Sequence, residues 1–283
     1  MDTILRSDKK EVVISDKGPI VIIGEKINPT GRTKLAAAYR QGDMAYVREL
    51  AIRQVAAGAD LLDINAGVPD MDETTLLPLV AGVVASEVDC PLCLDSANPK
   101  ALEAALRAVP GKPLVNSVNG EGASLKAVLP IVKEFGAAVI GLTMDEEGIS
   151  RDPEVRVTIA GKILEAAARI GIPAEDVVID PLVLSVGTDA EAGVTTLRTM
   201  ELLRKEFGVN INLGASNVSF GLPDRGTVNR AFLALGAAAG ASCVITDPAK
   251  HALFIRAVDL LLGRDDYSAR YIGHYRSLAE KAV

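Results

Sequence analysis

The chain has 283 residues, of which 30 are basic and 37 are acidic, so its formal net charge is −7. Apolar residues make up 49%, aromatic residues only 4%, and tryptophan is absent, which predicts an aliphatic core where helices pack on a buried sheet. No long block of either charge occurs, which argues against a nucleic-acid surface, and no run approaches the ~20 apolar residues of a membrane span.

The N-terminal segment, residues 1–17, is polar and charged and contains no apolar run of signal-peptide length. It predicts a short strand at residues 12–14. The three cysteines, an odd number, do not suggest a disulfide framework, and we expect a cytoplasmic protein. Cys90 and Cys93 have the spacing of a redox or metal pair, but no second pair exists to complete a zinc site. We therefore interpret them as small buried residues.

Short apolar runs then alternate with helix-forming segments, and most of the runs end in a side chain that can form hydrogen bonds. The predicted strands are residues 20–24, 61–65, 91–95, 114–117, 138–144, 177–180, 212–219 and 243–246. The predicted helices are residues 43–58, a segment ending near 87, a segment starting at 98–99, then 124–135, 153–170, 190–207, 227–239 and 249–262.

This alternation predicts an α/β fold, a single (β/α)8 TIM barrel. The spacing from Glu25 to Asp247 gives about 32 residues per step, the size of one βα unit. A doubly wound open sheet also alternates, but it usually has fewer units. We expect an N-terminal extension (residues 1–18) that covers the barrel floor, the barrel itself (19–265) and a C-terminal tail (266–283).

The carboxyl ends of barrel strands face one mouth, so polar residues far apart in sequence are expected to converge there. The converging set is Asp63, Asn65, Asp95, Asn116, Asp180 and Asn217, with Arg225 and Asn229 close by. Carboxylates and amides suit a flat heterocycle with adjacent N–H and carbonyl groups, and a magnesium or calcium site is the alternative. Both histidines occur late in the chain, so neither a histidine metal centre nor a serine or cysteine triad is predicted.

Several of these motifs together resemble the pterin-binding methyltransferases, which move a methyl group between tetrahydrofolate and a corrinoid. The motifs are Gly24-Glu25-Lys26-Ile27-Asn28, Leu61 to Asn65, Leu92 to Ser96, Asn116-Ser117, Gly141 to Met144, Ile179 to Leu182, Ser216 to Ser219 and Asn229-Arg230. They occur in order over about residues 19–263. Where the family often has arginine after the Gly-Glu pair, this chain has Lys26, which keeps the charge but loses the planar fork.

The resemblance implies a barrel that usually forms a homodimer, with tetrahydrofolate or 5-methyltetrahydrofolate as substrate. It assigns Asp95, Asn116 and Asp180 to the pterin ring, with Asp63 in support, and places Asn217 near N5. It also places Arg225 in the substrate-binding loop after the seventh strand of the barrel.

Catalysis is expected to depend on Asn217, which can donate a hydrogen bond to N5. Asp180 or Asp95 could relay the proton. The Asp-x-His-x-x-Gly motif of corrinoid-binding domains does not occur around either histidine. The cobalamin is therefore expected on a separate corrinoid protein.

Three other functions remain open at this point. Dihydropteroate synthase has similar strand-end Asp and Asn residues, but its first loop is usually rich in Ser and Thr. A non-catalytic pterin carrier would keep the ring contacts without needing Asn217. A nucleotide enzyme is suggested only by residues 120–125, which lack the third glycine of the dinucleotide fingerprint.

Overall fold

A closed barrel of eight parallel strands forms the centre of the computed structural model, which describes residues 1–280. The barrel strands are β3 (Val21–Ile27), β4 (Leu61–Asn65), β5 (Leu92–Asp95), β6 (Leu114–Asn119), β7 (Ala138–Leu142), β8 (Val177–Asp180), β9 (Asn212–Leu213) and β10 (Cys243–Thr246). Their order is β8-β7-β6-β5-β4-β3-β10-β9. A 2.9 Å hydrogen bond from Ile179 N to Asn210 O joins the two ends of this sheet, so the predicted TIM barrel is confirmed.

Helices cover the outside of the barrel. They are α1 (Thr33–Gln41), α2 (Met44–Ala56), α3 (Glu73–Glu87), α4 (Pro99–Ala108), α5 (Gly122–Phe135), α6 (Pro153–Arg169), α7 (Ala192–Glu206), α8 (Arg225–Ala238), α9 (Pro248–Leu261) and α10 (Ala269–Glu280). Asp43, Asn98 and Asp152 accept backbone N–H bonds at the starts of α2, α4 and α6. These three predicted helix starts are therefore confirmed, because an N-cap side chain satisfies a backbone donor of the first turn.

The structure differs from the sequence prediction at three places in the barrel and the C-terminal segment, and an N-terminal strand, Asp2–Arg6, was not predicted either. Helix α1 was not predicted; it starts without a side-chain cap and ends at Gly42, whose φ of 68° suits glycine. The seventh barrel strand is short, because the backbone turns after Gly214 into a 3₁₀ helix, Ala215–Asn217. Helix α10 occupies most of the segment expected as a tail, of which residues 281–283 lie outside the described part of the chain.

An N-terminal hairpin packs on the floor of the barrel. Strands β1 (Asp2–Arg6) and β2 (Glu11–Ser15) pair antiparallel. Leu5 and Ile14 are fully buried and pack with inward-facing barrel residues such as Ile23 and Val178. Asn210 ties the hairpin to the barrel, since its Nδ2 donates to Ile14 O at 2.8 Å. The lower barrel is therefore a packed core, and the mouth is left for function.

Helix lengths and apolar content bear on the membrane question. Within residues 1–280, no helix is both long enough and apolar enough to cross a bilayer.

Cys90, Cys93 and Cys243 are buried free thiols, as the sequence interpretation of the first two expected.

Candidate active site

Four polar side chains from three adjacent strands form a hydrogen-bonded cluster at the barrel mouth. The register places Asn65 of β4 beside Asp95 of β5, and Asp95 beside Asn116 of β6. Asn65 Nδ2 donates to Asp95 Oδ2 at 3.0 Å, and Asn116 Nδ2 donates to Asp63 Oδ1 at 3.2 Å. The sequence prediction that these residues converge is thus borne out by their contacts.

Burial dominates the electrostatics of this cluster. The side chain of Asp63 is almost fully buried, and burial, followed by the nearby charge of Asp95, raises its pKa. Burial also raises the pKa of Asp95, against the lowering effect of the hydrogen bond from Asn65. Because Asp63 and Asp95 are buried close together, a charge on one makes it harder to ionise the other. A ligand that donates N–H hydrogen bonds to these carboxyls stabilises their ionised form.

Unused acceptors in the cluster face open space. Within residues 1–280, neither Asp95 Oδ1 nor Asn116 Oδ1 has a hydrogen-bonding partner, and neither is among the buried unsatisfied atoms. Both residues line a cavity of about 450 Å³, together with Ser96 and Asn119. The cavity wall therefore offers a carboxylate oxygen and an amide carbonyl to N–H donors of a ligand.

Asp180 is held on the opposite side of the mouth by two donors. Its Oδ1 accepts from Leu182 N at 2.8 Å, and its Oδ2 accepts from Asn212 Nδ2 at 2.6 Å. Burial raises the pKa of Asp180 to about 6, although these hydrogen bonds and the charge of Arg156 act in the other direction. A carboxyl with this pKa can gain or lose a proton close to neutral pH.

The loop after β8 owes its shape to a buried arginine. Arg156 is 1% exposed, and its guanidinium donates to Pro181 O and Leu182 O at 2.8 Å each and to Ser150 O at 2.7 Å. The charge is therefore satisfied by backbone carbonyls, as a buried cation requires. This arrangement fixes the Leu182 amide that binds Asp180.

Asn217 lies at the exposed end of the mouth, in the 3₁₀ helix after β9. It lines a cavity of about 320 Å³ with Asp180, Glu25 and Asn28. This cavity and the Asp95 cavity are neighbours that share Leu142, and the two together are called the trough. Among the described residues, no group is hydrogen-bonded to the Asn217 side-chain amide. Asp63 lies beneath the trough and reaches it through Asn116.

Arg225 does not line this trough but a cavity that adjoins it. It lines a third cavity of about 260 Å³, which shares Glu25, Arg32 and Ser216 with the Asn217 cavity. Its guanidinium donates to Ser216 O at 2.7 Å and to Ser219 Oγ at 3.0 Å. Arg225 therefore braces the loop that carries Asn217.

The sequence interpretation missed two contributors to the site. Asn212 is 1% exposed within β9 and orients Asp180; an asparagine inside a short apolar run was the available signal, since a buried amide needs a partner. Glu25 lines two of the cavities and accepts a 3.2 Å hydrogen bond from Ser216 Oγ. Its motif was noticed, but no role was assigned to it.

Comparison with known proteins agrees with this geometry. The sequence profile of the family described as pterin binding enzyme matches residues 24–247, which include every residue of the trough. The chain belongs to the pterin binding enzyme family. Its barrel is also similar to solved dihydropteroate synthases from Xanthomonas albilineans and Yersinia pestis, both with a TM-score of 0.70. The Xanthomonas protein is 21% identical, over 94% of this chain and 100% of that chain. The Yersinia protein is 17% identical, over 89% of this chain and 97% of that chain. At these identities the likeness concerns the fold.

Relatives with higher identity carry methyltransferase and synthase names. This pterin binding enzyme is 31% identical to the methylcorrinoid:tetrahydrofolate methyltransferase of Eubacterium limosum, over 91% of this chain and 96% of that protein. It is also 31% identical to the methionine synthase of Mycobacterium tuberculosis over 76% of this chain, which spans only 19% of that protein. The resemblance to pterin-binding methyltransferases is thereby confirmed.

The trough of this pterin binding enzyme offers hydrogen-bond acceptors to a ligand. Within the described residues, no group of three or more His, Cys, Asp or Glu side chains is placed to hold a metal ion. The free acceptors on Asp95 and Asn116 can take hydrogen bonds from N–H donors of a ligand.

Proposed function

We propose that this protein is a methyltransferase that moves a methyl group between N5 of tetrahydrofolate and the cobalt of a corrinoid carried by a separate protein. The observation that carries the proposal is the trough, which has acceptors for a pterin ring at one end and the exposed amide of Asn217 at the other. Similarity over nearly the whole length to a methylcorrinoid:tetrahydrofolate methyltransferase supports it.

Ring binding in this proposal depends on three side chains. Asp95, Asn116 and Asp180 accept hydrogen bonds from the N–H groups of the pterin, and Asn116 can also donate to a ring acceptor. Asp63 fixes the orientation of the Asn116 amide through the 3.2 Å bond. Because the carboxyls are buried, each bond formed with an N–H donor is stronger than it would be in water.

Methyl transfer from N5 to cobalt(I) breaks the N5–carbon bond and forms the cobalt–carbon bond, and N5 keeps the electron pair. N5 is a poor leaving group unless that electron pair is stabilised. Asn217 would donate a hydrogen bond to N5 that strengthens in the transition state, which lowers the barrier more than it tightens binding. Asp180, with a pKa of about 6, would hold the proton that N5 gains in this direction and releases in the other.

A separate corrinoid protein fits the position of Asn217. Its side chain is exposed at the mouth, so a cobalt atom on another protein can approach N5 without opening the barrel. Within these 283 residues, His251 and His274 lack the Asp-x-His-x-x-Gly context of a corrinoid-binding domain. A homodimer and a cytoplasmic location are further parts of the proposal, supported by the family resemblance and by the buried free thiols.

Replacing Asn217 by Ala or by Asp tests the role of the amide donor. We expect kcat for methyl transfer to fall about 100-fold in both variants, since each removes the donor and only Asp keeps the shape. The Kd for tetrahydrofolate, measured by calorimetry, should change by less than about 3-fold. Unchanged kcat in both variants would refute the role of the amide donor. Wild-type protein that binds tetrahydrofolate but transfers no methyl group would favour a pterin carrier, and condensation of a pterin pyrophosphate with aminobenzoate would favour a dihydropteroate synthase.

A further inference from the structure

A cavity next to the Asn217 pocket carries an excess of positive charge. This cationic pocket, of about 260 Å³, is lined by Lys26, Arg32, Arg225 and Lys250, and by two acids, Glu25 and Asp247. The local balance is two positive charges, on a chain whose net charge is −7. Such a local reversal of sign attracts an anionic ligand group.

The two acids of the pocket pair with three of its four cations, which leaves two positive charges in excess. Lys26 Nζ lies 2.6 Å from Asp247 Oδ2, and Arg32 lies 3.7 Å from Glu25. Lys250 Nζ lies farther from the same Asp247 oxygen, at 3.8 Å, and 71% of its side chain is exposed. Among residues 1–280, Arg225 forms no ion pair and bonds only to neutral oxygens and the ring of Phe220.

The inner wall of the cationic pocket contains polar atoms without partners. Asn229 is 7% exposed and His251 is 4% exposed, and both line the cavity. Their Oδ1 and Nδ1 atoms have no hydrogen-bonding partner among the described residues. Both atoms are themselves buried behind the cavity surface, so they make the wall polar but are not contacts for an anionic ligand. Burial lowers the pKa of His251, which keeps the ring neutral near pH 7.

We propose that the cationic pocket binds the carboxylates of the glutamate tail of the folate substrate. The inference rests on the proposed function, because it needs the pterin ring in the trough with N5 beside Asn217. The tail begins at C6, the atom next to N5, where a p-aminobenzoyl group joins the glutamate to the ring. The Asn217 cavity adjoins the cationic pocket, with which it shares Glu25, Arg32 and Ser216. The two carboxylates of one glutamate match the two surplus charges.

This assignment gives Arg225 a role distinct from ring recognition. Arg225 and Lys250 contact the tail. The pterin ring is bound by Asp95, Asn116 and Asp180. Each additional glutamate on the tail adds one carboxylate near the same cations. Affinity should therefore rise with the number of glutamates and fall with added salt.

Calorimetry with two ligands tests the proposal: tetrahydrofolate, and 6-methyltetrahydropterin, which has the ring but no tail. Lys250→Glu should weaken tetrahydrofolate binding about 3-fold to 5-fold and leave 6-methyltetrahydropterin within about 1.5-fold, as expected for an exposed ionic contact. Arg225→Gln also removes the hydrogen bonds to Ser216 and Ser219, so it should weaken both ligands, and tetrahydrofolate by the larger factor. Lys205→Glu, an exposed charge change in the last turn of α7, is the matched control and should alter neither ligand.

Equal weakening of both ligands, or no weakening of either, in the Lys250 and Arg225 variants would overturn the tail assignment. Wild-type protein that binds both ligands equally while transferring methyl groups would overturn it as well and leave the proposed function intact. Wild-type protein that binds neither ligand would contradict the proposed function itself.

Discussion

The buried carboxyl of Asp180 should make the free energy of unfolding depend on pH. The substitution Asp180→Asn should remove this part of the pH dependence. Burial raises its pKa from 3.8 to about 6, so the folded protein binds this proton more tightly than the unfolded chain does. Ionising Asp180 at neutral pH therefore costs about 3 kcal/mol of folding free energy, since one pKa unit equals about 1.4 kcal/mol. The cost is absent below the unfolded pKa and complete above the folded one.

Equilibrium urea unfolding of wild type and Asp180→Asn measures this cost. From about pH 4.5 to about pH 8, the unfolding free energy of wild type should fall by about 2 kcal/mol relative to the variant, because part of the total is already lost at the lower pH. Asn212 can turn its amide to accept from the new amide at position 180, which keeps the pair hydrogen-bonded. The variant should nevertheless bind tetrahydrofolate more weakly, because it loses an ionised acceptor.

Asp266→Asn, an exposed change in the 3₁₀ helix before α10, is the matched control and should follow the wild-type pH profile. Parallel curves for wild type and Asp180→Asn would refute the reasoning, because Asp180 would then have the same proton affinity in the folded and unfolded states.

Arg156 and Leu5 give two further predictions about stability. Arg156→Met removes the guanidinium donor from three loop carbonyls, of which Leu182 O keeps the Thr196 hydroxyl, and should lower the unfolding free energy in urea by about 3 kcal/mol. It should also weaken tetrahydrofolate binding by calorimetry, since the loop no longer orients Asp180; unchanged binding would contradict this. Leu5→Ala should cost about 2–5 kcal/mol, because Leu5 is fully buried in the barrel floor. Val13→Ala, on the exposed face of the same hairpin, should cost less than about 1 kcal/mol, and equal losses would count against the hairpin as part of the core.

Much of the barrel could be predicted from the sequence because strand ends and helix starts have local chemical signals. Asp43, Asn98 and Asp152 cap three helices whose starts were predicted at these positions, and Cys243–Thr246 matches the last predicted strand. Helix α1 was missed because its N-cap residue, Arg32, provides no side-chain acceptor, and its guanidinium instead donates to Glu25 O.

The candidate site was harder to predict where it depends on contacts between distant segments. The shortening of β9 follows from a turn at Gly214, and this turn places Asn217 at the exposed rim. Asn212 orients Asp180, 32 positions earlier in the chain, and the position of Arg225 next to the pterin trough depends on how α8 meets that rim. Such partners are set by barrel closure, which no local pattern encodes.

The most direct test of the central claim is the absorbance change after tetrahydrofolate and methylcob(III)alamin are mixed with the purified protein under anaerobic conditions. The account predicts conversion of the methylcob(III)alamin spectrum to that of cob(I)alamin, at a rate proportional to protein concentration. A spectrum that stays unchanged, while calorimetry shows that tetrahydrofolate is bound, would contradict methyl transfer at this barrel mouth.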